Sequence, residues 1–141
     1  MLKTTLLHPE ILATLASAGH GSRVLISDGN YPHTTGSHFA AKRVFLNLAP
    51  GLVNATDVLR VVADAIPIEA AHVMATADGS RPAIWDEFAE LLPGLPLQPI
   101  ERFAFYETAR GTDVALVIAT GEQRIYANIL LTLGVVPPPS A

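Results

Sequence analysis

Cysteine is absent from the 141 residues of this chain, which excludes a disulfide framework, a thiolate nucleophile and any cysteine-ligated zinc or iron-sulfur site. Charge is also sparse. Only 16% of the residues are charged, and nine Lys and Arg against thirteen Asp and Glu leave a net charge of -4. Basic residues so few and so scattered do not neutralise a row of phosphates, so no nucleic-acid partner is expected. No apolar run reaches the ~20 residues of a membrane-spanning helix. Met1-Leu2-Lys3-Thr4-Thr5 lacks the apolar core and cleavage site of a secretory leader. A cytoplasmic protein with no membrane role is the expectation, and any chemistry falls to imidazole, carboxylate, hydroxyl, amide and guanidinium groups.

What the chain does have is apolar surface. Half of its residues are hydrophobic, enough for one domain over residues 1–141, with residues 136–141 as a proline-rich tail, that buries roughly two thirds of its unfolded surface. The excess over a typical composition points to a homo-oligomer. The spacing predicts a helix from about His8 to Ala18, with Pro9 at its first position and Gly19 ending it. A strand follows over Arg23 to Ser27, then a long loop from Asp28 to about Phe39 of the kind that often contacts ligands. Val44 to Leu48 reads as a second strand, and Asn54 caps a helix that Pro67 ends.

His72 to Thr76 reads as a short strand, and Ile84, Trp85, Phe88, Leu91 and Leu92 form the core stripe of a helix opening near Pro82. Pro93, Pro96 and Pro99 predict an extended connector, Arg102 to Arg110 a short helix, and Val114 to Ala119 and Ile125 to Leu131 two further strands. Strands alternating with helices give an α/β fold, a three-layer α/β/α sandwich with a mixed central sheet.

Two clusters stand out as chemistry. In Gly19-His20-Gly21, a histidine is held between glycines one short strand away from Ser27-Asp28, an arrangement suited to proton transfer. The plainer interpretation, a helix C-cap and an Asp-Gly turn, carries equal weight on these residues alone. Tyr126 and Asn128 together offer a hydroxyl and both functions of an amide, which suits reading a polyol. The alternative there is a buried strand whose Asn satisfies backbone groups. Arg102 can donate a fork of hydrogen bonds to hydroxyls or form a surface ion pair with Glu101 or Glu107. His33 and His38 lie in the loop with four residues between them, but without a metal-binding pattern, and no metal is expected.

The string Thr120-Gly121-Glu122, then Tyr126-Ala127-Asn128-Ile129-Leu130-Leu131 and Gly134-Val135, resembles the signature of the D-ribose pyranase and L-fucose mutarotase family. His8-Pro9-Glu10-Ile11-Leu12, Gly19-His20-Gly21 and Ser27-Asp28 with Pro32 are similar to its opening motif in order and spacing. Arg102-Phe103-Ala104-Phe105-Tyr106-Glu107 resembles the fucose branch.

The resemblance implies a cofactor-free isomerase that interconverts the α and β anomers of L-fucose or a related monosaccharide. D-ribose pyranase activity, or a non-catalytic sugar-binding module, is the alternative. It implies a ring-like homo-oligomer, often a decamer, with the site at a subunit interface. His20 would be the catalytic proton donor; Asp28, Arg102, Tyr126, Ala127 and Asn128 would contact the sugar, the last three from a neighbouring subunit. Such a reaction moves protons to and from the anomeric hydroxyl and the ring oxygen, and imidazole, with an ordinary pKa of about 6.5, suits both directions. The loop after Asp28 departs from the family pattern, which leaves the choice of sugar open.

Overall fold

Helices start where the local chemistry supplies acceptors for their free N–H groups. In the computed structural model, which describes residues 1–140, the chain forms α1 (Pro9–Ser17), β1 (Arg23–Ser27), β2 (Lys42–Phe45), α2 (Ala55–Ala65), β3 (Ile68–Met74), α3 (Ile84–Leu91), β4 (Leu97–Ile100), α4 (Arg102–Ala109), β5 (Val114–Ala119) and β6 (Ile129–Leu133). Ala141, the last residue of the expected tail, lies outside the described residues. His8 Nδ1 accepts from the Ile11 N–H ahead of Pro9. Asp57 accepts from the Asn54 N–H at 3.1 Å, and Glu101 accepts from the N–H groups of Phe103 and Ala104 at 2.9 and 3.1 Å.

The six strands form one sheet in the order β2-β5-β1-β6-β3-β4. β2, β5 and β1 are parallel, β6 runs antiparallel between β1 and β3, and β4 joins β3 in parallel. Alternation along the strands divides the apolar residues between two cores. Val24 and Ile26 of β1, with Leu116 and Ile118 of β5, pack under Ile11, Leu59 and Phe88 of α1 to α3. Leu25, Val117 and Leu130 face Phe105 and Ala109 of α4 and Tyr31 of the β1–β2 loop. This is the mixed, two-sided α/β sandwich expected, and no helix among the described residues is long and apolar enough to cross a membrane.

Four boundaries differ from the sequence expectation. β2 spans Lys42–Phe45 instead of Val44 to Leu48, its start set by pairing with β5 from Lys42↔Leu116 onward. The proline connector contains β4; it lies at the edge of the sheet, where Pro99 costs no central ladder bond. β3 begins immediately after Pro67, four residues before His72, because proline blocks a helix without blocking a strand's first residues. β6 begins at Ile129, and the preceding residues form a turn in which Tyr126 adopts φ 58°. Continuing the β1–β6 register from Ile26↔Ile129 sets Ser27 opposite Asn128 and Asp28 opposite Ala127. The fold thereby brings two motifs separated by a hundred residues together.

Behind this end of the sheet the backbone is tightly knit at Gly121. Its N–H donates to Val53 O at 2.8 Å, and its carbonyl accepts from the Gly51 N–H at 2.7 Å. A Cβ at Gly121 would lie 2.4 Å from the carbonyl oxygens of both Ala49 and Leu52, whereas one at Gly19 would meet nothing within 4 Å. Gly121→Ala is expected to cost at least about 1–3 kcal/mol, the range for overpacking, and Gly19→Ala at most about 0.5 kcal/mol. Urea unfolding of the two variants checks this, and equal midpoints would show that the Gly121 contact is not tight.

Candidate functional site

Asp28 leaves the carboxyl end of β1 almost wholly buried, 3% exposed. Its carboxylate accepts from the Asn30 N–H at 3.0 Å, the Ala127 N–H at 3.2 Å and Asn128 Nδ2 at 3.1 Å. Asn128 returns the contact, its Oδ1 accepting from the Asp28 N–H at 2.8 Å. A buried carboxylate survives only when its lone pairs are met, and here the turn before β6 meets them. Burial pushes the Asp28 carboxyl above the ordinary carboxylate range, against the Asn30, Ala127, Tyr31 and Asn128 hydrogen bonds that pull it down.

Above this carboxylate lies a pocket of about 260 Å³, the share of roughly nine liquid waters and a fair size for one ring sugar. Tyr126 and Asn128 form one wall, Arg102 and Tyr106 of α4 another, and Asn30, Tyr31 and Met74 close it. Tyr126 is placed by its left-handed backbone, a conformation that costs a non-glycine residue about 1 kcal/mol. Arg102 donates to the Tyr106 hydroxyl at 3.4 Å and lies over the Phe103 and Tyr106 rings. Glu101 instead caps α4, and Glu107 pairs with Arg110, so the surface ion pair open to Arg102 in the sequence does not form.

Five predicted residues, Asp28, Arg102, Tyr126, Ala127 and Asn128, therefore meet at one site within a single chain. The Tyr126–Asn128 segment, expected from a subunit neighbouring the one that supplies His20, meets Asp28 of its own chain through the β1–β6 register. His20 does not join them. β1 separates it from Asp28, and five residues at about 3.3 Å each place the two groups at opposite ends of the strand. The proton-transfer pair read from their closeness in sequence is not a contact, because a strand extends what a helix would fold back.

His20 stands exposed on its turn, with Nε2 2.9 Å from Glu69 Oε2 at the start of β3. Glu69 was missed because nothing in a β-strand pattern distinguishes it. Tyr31 and Tyr106 were also missed as site residues. The signal that could have found Tyr106 is its i, i+4 spacing from Arg102, which places both on one helix face.

The β1–β2 loop is part of the site through Asn30 and Tyr31. Its farther half is held by Arg43 of β2, which donates to the carbonyls of His33, Thr34 and His38 and to Ser37 Oγ at 2.9 to 3.2 Å. His33 turns inward to Ser27 Oγ at 2.9 Å, while His38 stacks beside Phe39.

Fold and site define a small α/β protein with a carboxylate-floored, sugar-sized pocket at one end of a mixed sheet. The chain belongs to the RbsD / FucU transport protein family, whose profile matches residues 1–136. It is 32% identical to a fucose mutarotase of Danio rerio, over 95% of this chain and 92% of that protein. It is 34% identical to a D-ribose pyranase of Chloroflexus aggregans, over 96% of this chain and 99% of that one. The fold matches the crystal structure of the fucose mutarotase in complex with L-fucose from Streptococcus pneumoniae with a TM-score of 0.83 and 27% identity, over 96% of this chain and 100% of that one. The family expected from the motifs is the one matched.

The Asp28 environment sets a pH dependence. A carboxyl whose pKa is raised on folding binds its proton more tightly in the native state, so its contribution is most favourable below the ordinary carboxylate pKa and is lost as pH rises through the folded value. Asp28→Asn removes this titration. Stability of the wild type relative to Asp28→Asn is expected to fall as pH rises from about 4 toward neutrality, read from urea midpoints across that range. A gap that widens in the wild type's favour would show the carboxyl to be depressed instead.

Proposed function

We propose that this protein is a sugar mutarotase that interconverts the anomers of a reducing monosaccharide. A proton leaves the anomeric hydroxyl, another reaches the ring oxygen, and the bond between the anomeric carbon and that oxygen breaks to give the open aldehyde. Rotation about the next carbon–carbon bond and reclosure, with the proton movements reversed, yield the other anomer. The observation that carries this reading is the buried Asp28 carboxylate beneath a pocket walled by a phenol, an amide and a guanidinium. Those groups read hydroxyls by donor and acceptor pattern. The named activities of the fucose mutarotase and D-ribose pyranase relatives support it.

In this reading Asp28, Tyr126, Asn128 and Arg102 hold the sugar, with the Ala127 N–H fixing the Asp28 carboxylate. His20 is the acid/base, supplied to each pocket by a neighbouring copy of the chain. Glu69 is a positioning residue: it occupies Nε2 of His20 and leaves Nδ1 for the sugar. In this reading the homo-oligomer is ring-like, a decamer, and the setting is cytoplasmic. L-fucose is the proposed sugar, with D-ribose, in pyranose to furanose exchange, as the second candidate, since relatives acting on each are about equally similar.

Saturation-transfer NMR of anomeric exchange with L-fucose and D-ribose tests the activity. The wild type is expected to accelerate exchange of at least one sugar, and His20→Ala to lose about 10²- to 10⁴-fold, the usual contribution of general acid/base catalysis. Exchange unaltered by the wild-type protein would leave a binding module. Subunit sharing has its own test. When inactive His20→Ala and Asp28→Ala proteins are dissociated, mixed in equal amounts and reassembled, about a quarter of the sites should regain both groups if neighbouring chains complete one another's pockets. No recovery would show that neighbouring chains do not complete one another's pockets and would remove His20 from the Asp28 site.

A further inference from the structure

The parallel half of the sheet ends in a second, larger recess. β1, β5 and β2 all point their carboxyl ends the same way, and ligands of open α/β sheets bind beyond such ends. The recess there has a volume of about 520 Å³ and includes Asn30, Asn47, Leu48, Thr120 and Gln123 in its lining. Asn30 also lines the Asp28 pocket, so the two adjoin.

Its floor is fixed backbone. The Gly29 N–H donates to Glu122 O at 2.9 Å, and Gly51 and Gly121 tie the neighbouring loops together. Its chemistry is neutral and bifunctional, because Asn30, Asn47 and Gln123 each carry an amide that both donates and accepts. Leu48 adds an apolar face that is 83% exposed. The nearby carboxylate, Glu122, is itself buried and consumed: it accepts from Arg124 Nε and NH2 at 2.9 Å and from the Ala55 N–H at 3.3 Å. These bonds outweigh its burial and hold its pKa below the ordinary value. Paired with the Arg124 guanidinium and with its lone pairs taken, this carboxylate offers no free charge to a guest, and the neutral lining suits a neutral one.

We propose that this recess is a second saccharide subsite, and that the substrates of the enzyme include reducing disaccharides whose reducing ring occupies the Asp28 pocket and whose second ring lies over Leu48 among the amides of Asn47 and Gln123. The proposal rests on the mutarotase reading and narrows its substrate class. A free second monosaccharide offers the same chemistry as a linked ring, and covalent linkage separates the two.

The test compares L-fucose, D-ribose and D-glucose with disaccharides carrying each of them at the reducing end, in the wild type and in Leu48→Trp, which fills the recess from an exposed position outside the Asp28 pocket. For at least one pair, the disaccharide is expected to show a KM for anomeric exchange at least fivefold below that of its monosaccharide. Its addition should shift the backbone amide signals of Asn47, Leu48 and Gln123. Leu48→Trp should abolish the gain and leave the monosaccharide's exchange within twofold of wild type. A second ring that brings no gain with any of the three sugars, or shifts at Asn47 and Gln123 produced equally by monosaccharide alone, overturns the proposal. If disaccharide binds with the expected shifts while no sugar's exchange is accelerated, the subsite stands as a binding site and the mutarotase reading fails.

Discussion

A carboxylate buried to 3% exposure is a constraint the rest of this structure has to satisfy. Asp28 is accommodated because β6 enters the sheet antiparallel to β1 in the one register that brings the Ala127 N–H and the Asn128 amide against it. Hydrogen bonds to a charged group contribute about 1.5–3 kcal/mol each when the alternative is an unmet buried charge, so a slip of one residue would lose several at once and also reverse the faces of β6. Core and site therefore specify the same register. The left-handed Tyr126 follows: the chain must turn sharply from the loop at Glu122 into β6 while leaving two donors aimed at Asp28.

On the proposed reading, the same sheet leaves one chain chemically unfinished. Asp28 and Tyr126 belong to one end of the β1–β6 pair and His20 to the other, so no side-chain rotation unites them. The proposed assembly answers this by letting the exposed turn of one chain, with its imidazole already held by Glu69, complete the pocket of the next. The composition is suited to that role: Phe39, Phe45, Phe103 and Ile125 remain more than half exposed, apolar area of the kind self-association removes from water.

Much of this was legible in the residues, and the parts that were not share a cause. Helix α2 could be read from Asn54 and the Val58, Leu59, Val62 periodicity because caps and amphipathic faces are local. β5 could be read from its continuous apolar run, as a central strand requires. β4 was hidden because proline signals a break, and only its place at the edge makes Pro99 tolerable. The motifs Ser27-Asp28 and Tyr126-Ala127-Asn128 were visible as chemistry, yet their contact depends on strand order, which no local pattern encodes. His20 misled for the same reason. Closeness in sequence suggested closeness in space, whereas an extended strand converts a short separation in sequence into opposite ends of the molecule.

Anomeric exchange proceeds unaided in water, so little of the structure needs to be spent on lowering its barrier, and most of the site can serve selection. Selection by hydrogen bonds is sharp when the protein's own polar groups are buried, because a sugar lacking the matching hydroxyl leaves them unmet. Asp28 and Asn128 are such groups, and they are already saturated on the side facing β6. The discrimination that remains falls to the residues that can still respond: Tyr126 and Arg102 on one side, Asn30 on the other. Asn30 sits on the β1–β2 loop, whose farther half Arg43 fixes to the edge strand and whose nearer half is held by its own side chains, Tyr31 buried in the core with its hydroxyl on Gly36 O and His33 on Ser27 Oγ. The loop's conformation is therefore set by residues other than the exposed Asn30, so a change at that position can alter the sugar admitted without disturbing the carboxylate beneath.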